Sequence, residues 1–249
     1  PFALSEHYHC YTRGIDGRVT FQDKQDYERF QEYLYLCNDI KSFDRNNFHK
    51  HSHSEIFSRP RKQQLVAIGS YCLMPNHFHV GFQEIEEGGS SKFLQKLGTS
   101  YGMYFNKKYS RVGGLFIGPC RSRHIDKDSY FRRVIQYIHL NAAELYERGW
   151  KQGEVKNMRS LEKLLRNYPY SSLRDYQSAP RPEISILDED LIDLVKNDIP
   201  SLASILEEAR TYYIGLSWDK NSEASPPSWY AIHDAKNHRA PIEVGVLVR

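Results

Sequence analysis

The sequence predicts an α+β domain, an antiparallel sheet with helices packed on it. Three observations predict it. HYHCYTR (7–13) alternates as a half-buried strand does; the apolar run QLVAIGSYCL (64–73) meets HFHVGF across Pro75–Asn76 as a hairpin; and amphipathic helical stretches lie between and after these strands. Hairpins, rather than regular crossovers, between strands favour antiparallel pairing.

The elements follow in order. After the first strand, Gly14 to Gly17 turn the chain, VTF (19–21) leads on, and a helix begins near Asp23 and runs through DYERFQEYLYLC. The stretch from Ser42 to Lys62 is polar and without periodicity, and reads as an inserted loop. It holds a histidine cluster, His49, His51 and His53, which a flexible loop presents too loosely for a functional site. Beyond the hairpin and the Gly88–Gly89 break, SSKFLQKLGTSYGMYFNKKY reads as a helix with a serine cap. GGLFIGPCRSRHI reads as a strand interrupted at Gly118–Pro119. A helix capped by Asp128 or Ser129 then runs to near Gly149, with Phe131, Val134, Ile135, Ile138, Ala142 and Leu145 in one apolar stripe. LDEDLIDLVKND and IPSLASILEEARTYY read as helices of an acidic C-terminal extension, expected over 179–249 after a first domain of 1–178.

Composition excludes several classes. No window of the 249 residues approaches the roughly 18 apolar residues of a membrane span, and PFALSEHYHC lacks a basic start followed by an apolar run, so no membrane association and a cytoplasmic location are expected. Cys10, Cys37, Cys72 and Cys120 contain no CxxC pair, which argues against a zinc knuckle or a disulfide framework. The net charge of +3 hides an asymmetry. From Lys107 to Arg133 the bases Lys107, Lys108, Arg111, Arg121, Arg123, Lys127, Arg132 and Arg133 face only Asp126 and Asp128, a segment suited to phosphates. From Glu183 to Arg210 acidic residues dominate, a segment that a phosphate backbone avoids and that should not carry catalysis.

In LMPNHFHVGF (73–82), His77 and His79 point to one face of a strand while Phe78, Val80 and Phe82 point to the other. Lone histidines on strands are usually solvent-facing or hydrogen-bonded, whereas a same-face pair suits a divalent metal. On the later helix, Tyr137 and Asn141 share a flank beside the apolar stripe, with Tyr130 two turns upstream. A tyrosine there is more often a packing residue than a nucleophile.

LMPNHFH, SYGMYFNKKYSRVGGLF, YFRRVIQYIHLN and YPYSSLRDY, in this order, resemble the single-tyrosine transposases of the histidine-hydrophobe-histidine (HUH) nuclease superfamily, and within it the REP-associated tyrosine transposases. The resemblance runs from about His7 to Tyr176. It implies a ferredoxin-like HUH nuclease fold, His77 and His79 as the metal-binding pair, Tyr137 as the nucleophile and Asn141 as the polar residue that helps hold the metal. It also implies a single-stranded DNA hairpin of a palindromic repeat as substrate, cleaved through a 5′-phosphotyrosyl intermediate, by a monomer or a homodimer. Mg²⁺ and Mn²⁺ both stand open, Mn²⁺ tolerating imidazole ligands better. Arg121 and Arg123 clamp backbone phosphates or are solvated surface charges; Lys107, Lys108 and Arg133 complete the expected DNA-binding set. Relatives follow the asparagine with Pro-Val, whereas Ala142–Ala143 here predict a helix that continues past Asn141 and turns its amide. That departure sustains a second reading, a domesticated hairpin-binding protein without productive catalysis; a metal-dependent phosphodiesterase that uses water rather than tyrosine is a third.

Overall fold

The computed structural model describes residues 2–44, 51–152, 154–176, 181–196, 201 and 203–208. Its centre is a four-stranded antiparallel sheet of β1 (His7–Arg13), β2 (Val66–Met74), β3 (His77–Glu84) and β4 (Arg121–Ile125), in the order β2-β3-β1-β4. With α1 (Lys24–Leu36) after β1 and α3 (Gly89–Lys108) after β3, this is the split βαβ arrangement of ferredoxin-like folds. The α+β class expected from the sequence is the one observed.

Period-2 alternation sorts the side chains onto two layers. Phe78 and Phe82 point to one face, where Phe78 meets Phe30 of α1 (ring centroids 4.7 Å apart) and Phe82 meets Phe93 of α3 edge-on at 5.9 Å. On the opposite face lies α4 (Asp128–Leu140). Its approach is close because the sheet offers glycines beneath it. A Cβ at Gly81 would stand 2.9 Å from Ile138 Cδ1, and one at Gly69 2.9 Å from Ile135 Cδ1. Phe131, Val134, Ile135, Ile138 and Ala142 are buried as the stripe predicts, while Leu145 is exposed.

Three helix ends differ from expectation, the first being α4, whose N-cap is Lys127 rather than Asp128 or Ser129. The N-cap of α3 is Gly88, with φ of 71°, not a serine; the Glu84 carboxylate accepts from the N–H groups of Gly88 and Ser90 and so caps the helix from the neighbouring strand. The chain does continue past α4, but as a tighter 3-10 turn over Asn141–Leu145. The strand expected over 113–125 is ordered as β only from Arg121; Phe116 makes a single bridge to Gly14.

The inserted segment is not merely a loop. Ser52 and Glu55 start α2 (His53–Phe57), Glu55 accepting from Ser52 N at 2.6 Å, and Ile56 and Phe57 are buried. His53 stands between Glu32 Oε1 (3.3 Å) and Glu183 Oε1 (3.2 Å), so it ties α1, the insertion and the later segment together. His49 lies outside the described residues.

The outer edge of β2 is covered by YPYSSLRDY. Leu73 N donates to Tyr170 O, Tyr71 N to Ser172 Oγ, and Tyr168 Oη to Leu73 O at 2.6 Å. Arg181 fastens this cover through Asp175 Oδ1 (2.7 Å) and Ser171 O (2.8 Å). Asp188 N donates to Ile68 O, and the helix Glu189–Lys196 places Leu191 next to Gly69. The first compact unit spans Pro1–Arg210.

His53 gives the fold a pH signature. Burial alone would lower its pKa, but hydrogen bonds and charge from Glu183 and Glu32 outweigh that and hold it up at about 9. A raised histidine pKa contributes stability fully below the ordinary value of about 6.5 and loses it as pH rises through the folded value. The urea midpoint should therefore fall between pH 6.5 and 9, and His53→Gln should remove most of that slope. An unchanged slope in the variant would assign the pH dependence to other groups.

Candidate active site

The register of β1 against β3 builds the face beneath α4. Tyr11 pairs with His79, Arg13 with His77 and His9 with Gly81, so His7, His9, Tyr11, His77 and His79 all point to the helix. His7 stacks on Phe131 at 4.1 Å. The β1–β4 register, His9 with Arg123 and Tyr11 with Arg121, adds Arg121 and Arg123 to the same face, both exposed.

Helix α4 runs antiparallel to β3 across this face. Phe131 lies over His7, Ile138 over Gly81, and the Ala142 backbone meets the Cys72 thiol, Cys72 being the β2 partner of His79. His139 hangs over the β2 edge, bonded to Ser172 Oγ at 2.7 Å. Four residues apart, Tyr137 and Asn141 fall on the flank of the helix away from His139.

The histidines are neutral at pH 7. Burial pushes His77 down to about 4, Glu144 opposing and Lys151 and Arg13 assisting. Burial and then Arg123 push His9 down to about 3, and burial, His77, His9 and Lys151 put His79 well below its ordinary value. Neutral imidazoles keep the lone pair that a metal needs. His77 Nδ1 lies 2.7 Å from Asn76 Oδ1, which fixes the proton on Nδ1 and leaves Nε2 as the ligating atom. His79 Nδ1 lies 2.9 Å from His9 Nε2, and His79 Nε2 is buried with no hydrogen-bond partner.

Asn141 is buried, and its Nδ2 donates back to Tyr137 O (3.2 Å) and Ile138 O (3.1 Å). Among the described residues, no three His, Cys, Asp or Glu side chains gather as a metal-holding set. A divalent ion here would rest on His77, His79 and the Asn141 oxygen, with phosphate or water oxygens completing its shell. The orphaned His79 Nε2 and the neutral imidazoles fit such an ion; Lys151 and Arg13 oppose it, and Glu144, ion-paired to Lys151 at 2.9 Å, offsets them.

Tyr137 is 5% exposed. Burial first, then Glu208 and Tyr130, push its phenol up to about 12, Arg133 opposing. Arg133 Nε stands 3.7 Å from Glu208 Oε2. The acidic C-terminal segment, read from the sequence as one that should not carry catalysis, thus brings a carboxylate to Arg133, one helical turn before Tyr137. Lys107 and Lys108 lie at the end of α3, on the other face of the sheet, and Lys108 is engaged by Asp23 and Asp26 at 2.7 Å each. They are not brought together with the histidines.

Sequence reading missed His9, Tyr11, Glu144 and Lys151. The first two carried a signal, since HYHCYTR has the same two-residue spacing as the histidine pair. The other two are returned to the site by the 3-10 turns after α4, which no local pattern announces.

Comparisons add little to the geometry. No protein-family model matches the chain, and no curated protein matches it significantly. Among solved structures, a REP-associated tyrosine transposase bound to a REP hairpin is similar at 13% identity and a TM-score of 0.43, over 70% of this chain and 81% of that one. No described helix is long and apolar enough to cross a membrane.

If Glu208 acts on Tyr137 through charge, Glu208→Gln should lower the phenol pKa from about 12. Carbon-13 NMR of labelled tyrosine ring Cζ, assigned with Tyr137→Phe, reads it directly. An unmoved titration would show that burial alone sets the value.

Proposed function

We propose that this protein is a metal-dependent tyrosine nuclease of single-stranded hairpin DNA, acting as a transposase-like strand transferase. The observation that carries the reading is the gathering, under one helix, of two neutral same-face histidines, an orphaned ligating nitrogen and, on the flanking side of that helix, Tyr137 and Asn141. The motif resemblance supplies the substrate, a palindromic-repeat hairpin.

Each side chain then has a task. His77, His79 and Asn141 hold Mg²⁺ or Mn²⁺, which when bound supplies Lewis acidity and orientation to the scissile phosphate. The exposed Arg121 and Arg123 meet backbone phosphates on the same face. Tyr137 Oη bonds to phosphorus, the bond from phosphorus to the 3′ oxygen breaks, and that oxygen leaves as a 3′-hydroxyl after taking a proton. The phenol must first lose its own proton, which burial and Glu208 resist. Entry of a phosphate strand beside Arg133 competes with Glu208 for that guanidinium.

A second reading, hairpin binding without catalysis, draws on the buried Tyr137 and on the Lys151 and Arg13 cations beside the histidines. One assay separates the readings. Labelled hairpin DNA with Mn²⁺ should give a denaturation-resistant protein–DNA adduct, which Tyr137→Phe should abolish while leaving hairpin affinity within about twofold, because the ring packing is kept. Binding without any adduct would favour the second reading; an adduct that survives the change would move the role to Tyr130.

His77→Ala or His79→Ala should remove cleavage at any Mg²⁺ concentration, whereas excess Mn²⁺ should partly rescue Asn141→Ala, since Mn²⁺ bonds the remaining nitrogens better. Cleavage that persists at wild-type rate in both histidine variants would end the metal reading.

A further inference from the structure

His79 can serve a cation only through a bare Nε2, and the structure contains one feature that decides whether it is bare. His79 Nδ1 and His9 Nε2 are 2.9 Å apart, both rings being almost fully buried. One proton lies between them, and it has two homes. If His9 Nε2 carries it, His79 holds its own proton on Nε2, a buried N–H that faces no acceptor and cannot bind a cation. If His79 Nδ1 carries it and His9 Nε2 accepts, His79 Nε2 is a bare lone pair.

We infer that His9 is a positioning residue, which accepts the His79 Nδ1 proton and so fixes the ring in the tautomer and orientation that present Nε2 to a divalent cation; this rests on the metal reading above. The surroundings support it. Tyr11, paired with His79, stacks on that ring at 5.7 Å with an interplanar angle of 26°, which limits its rotation. Asn76 does the same for His77 by accepting at Nδ1, so both ligating rings have a partner on the nitrogen that faces away from the ion.

The test begins without metal. In nitrogen-15 histidine spectra of the full chain, His79 should show a protonated Nδ1 and a bare Nε2; a protonated Nε2 overturns the inference whatever the variants do. In His9→Phe the fixed tautomer should be lost, and Mn²⁺ affinity, read by electron paramagnetic resonance, should fall about 10–100-fold. His9→Gln, whose amide oxygen accepts near the same point, should restore most of the affinity and the tautomer, which a purely structural role would not predict. If His9→Phe does not fold, the wild-type tautomer and the Gln variant still decide. Wild-type affinity in folded His9→Phe, with affinity lost in His79→Ala, overturns the inference alone. Wild-type affinity in His79→Ala overturns the metal reading and this inference with it.

Discussion

The pairing of β1 with β3 is the constraint on which the site depends. A strand has a period of two, so a slip of one residue would send His7, His9 and Tyr11 into the Phe30 and Phe93 layer and bring Tyr8 and Cys10 under α4. Phe78, Val80 and Phe82 hold β3 with its apolar face inward, and the slip would take Tyr8 and Cys10, buried on that same side, out of the layer and push imidazoles into it, where burial disfavours polar groups. Core packing therefore positions the polar face without any polar residue having to contribute to stability.

That face is expensive to maintain. Three neutral imidazoles, a buried amide and the Glu144–Lys151 pair are gathered where burial disfavours charge, and His79 keeps one nitrogen unsatisfied. Such a group persists because α4 is seated firmly beside it. Gly69 and Gly81 let Ile135, Ile138 and Phe131 come down onto the sheet, and the change to a 3-10 turn at Asn141 tightens the chain just where the histidines lie. Tyr137 is carried on the same helix, and its burial there makes the phenol difficult to ionise.

The elements that follow simple periodicity were legible. HYHCYTR, the Pro75–Asn76 hairpin and the α4 stripe appear at the expected places, because each buries one face and exposes little choice of period. The insertion was not, since its short helix rests on a capping box, Ser52 to Glu55, and on a histidine held by carboxylates 21 and 130 residues away in sequence. Within the site, the alternating histidines could be read from spacing alone. Lys108 looked like a phosphate ligand because a charge run in sequence does not reveal Asp23 and Asp26, which approach it from another helix. Likewise, the acidic and basic segments read as separate regions meet at Arg133 and Glu208.

The two rims of the sheet differ in kind. The segment 168–176 satisfies the outer N–H and C=O groups of β2, with Tyr168, Tyr170 and Ser172 standing in for a further strand. Among the described residues no strand pairs with the outer side of β4. Indefinite edge-to-edge stacking needs two receptive rims per molecule, one to give and one to receive. With one rim sealed, strand addition between copies of this chain stops at a closed pair, and the exposed arginines of β4 place like charges across even that junction. The tyrosine-rich cover therefore protects a sheet of this size against fibre growth with no need for a barrel or a proline.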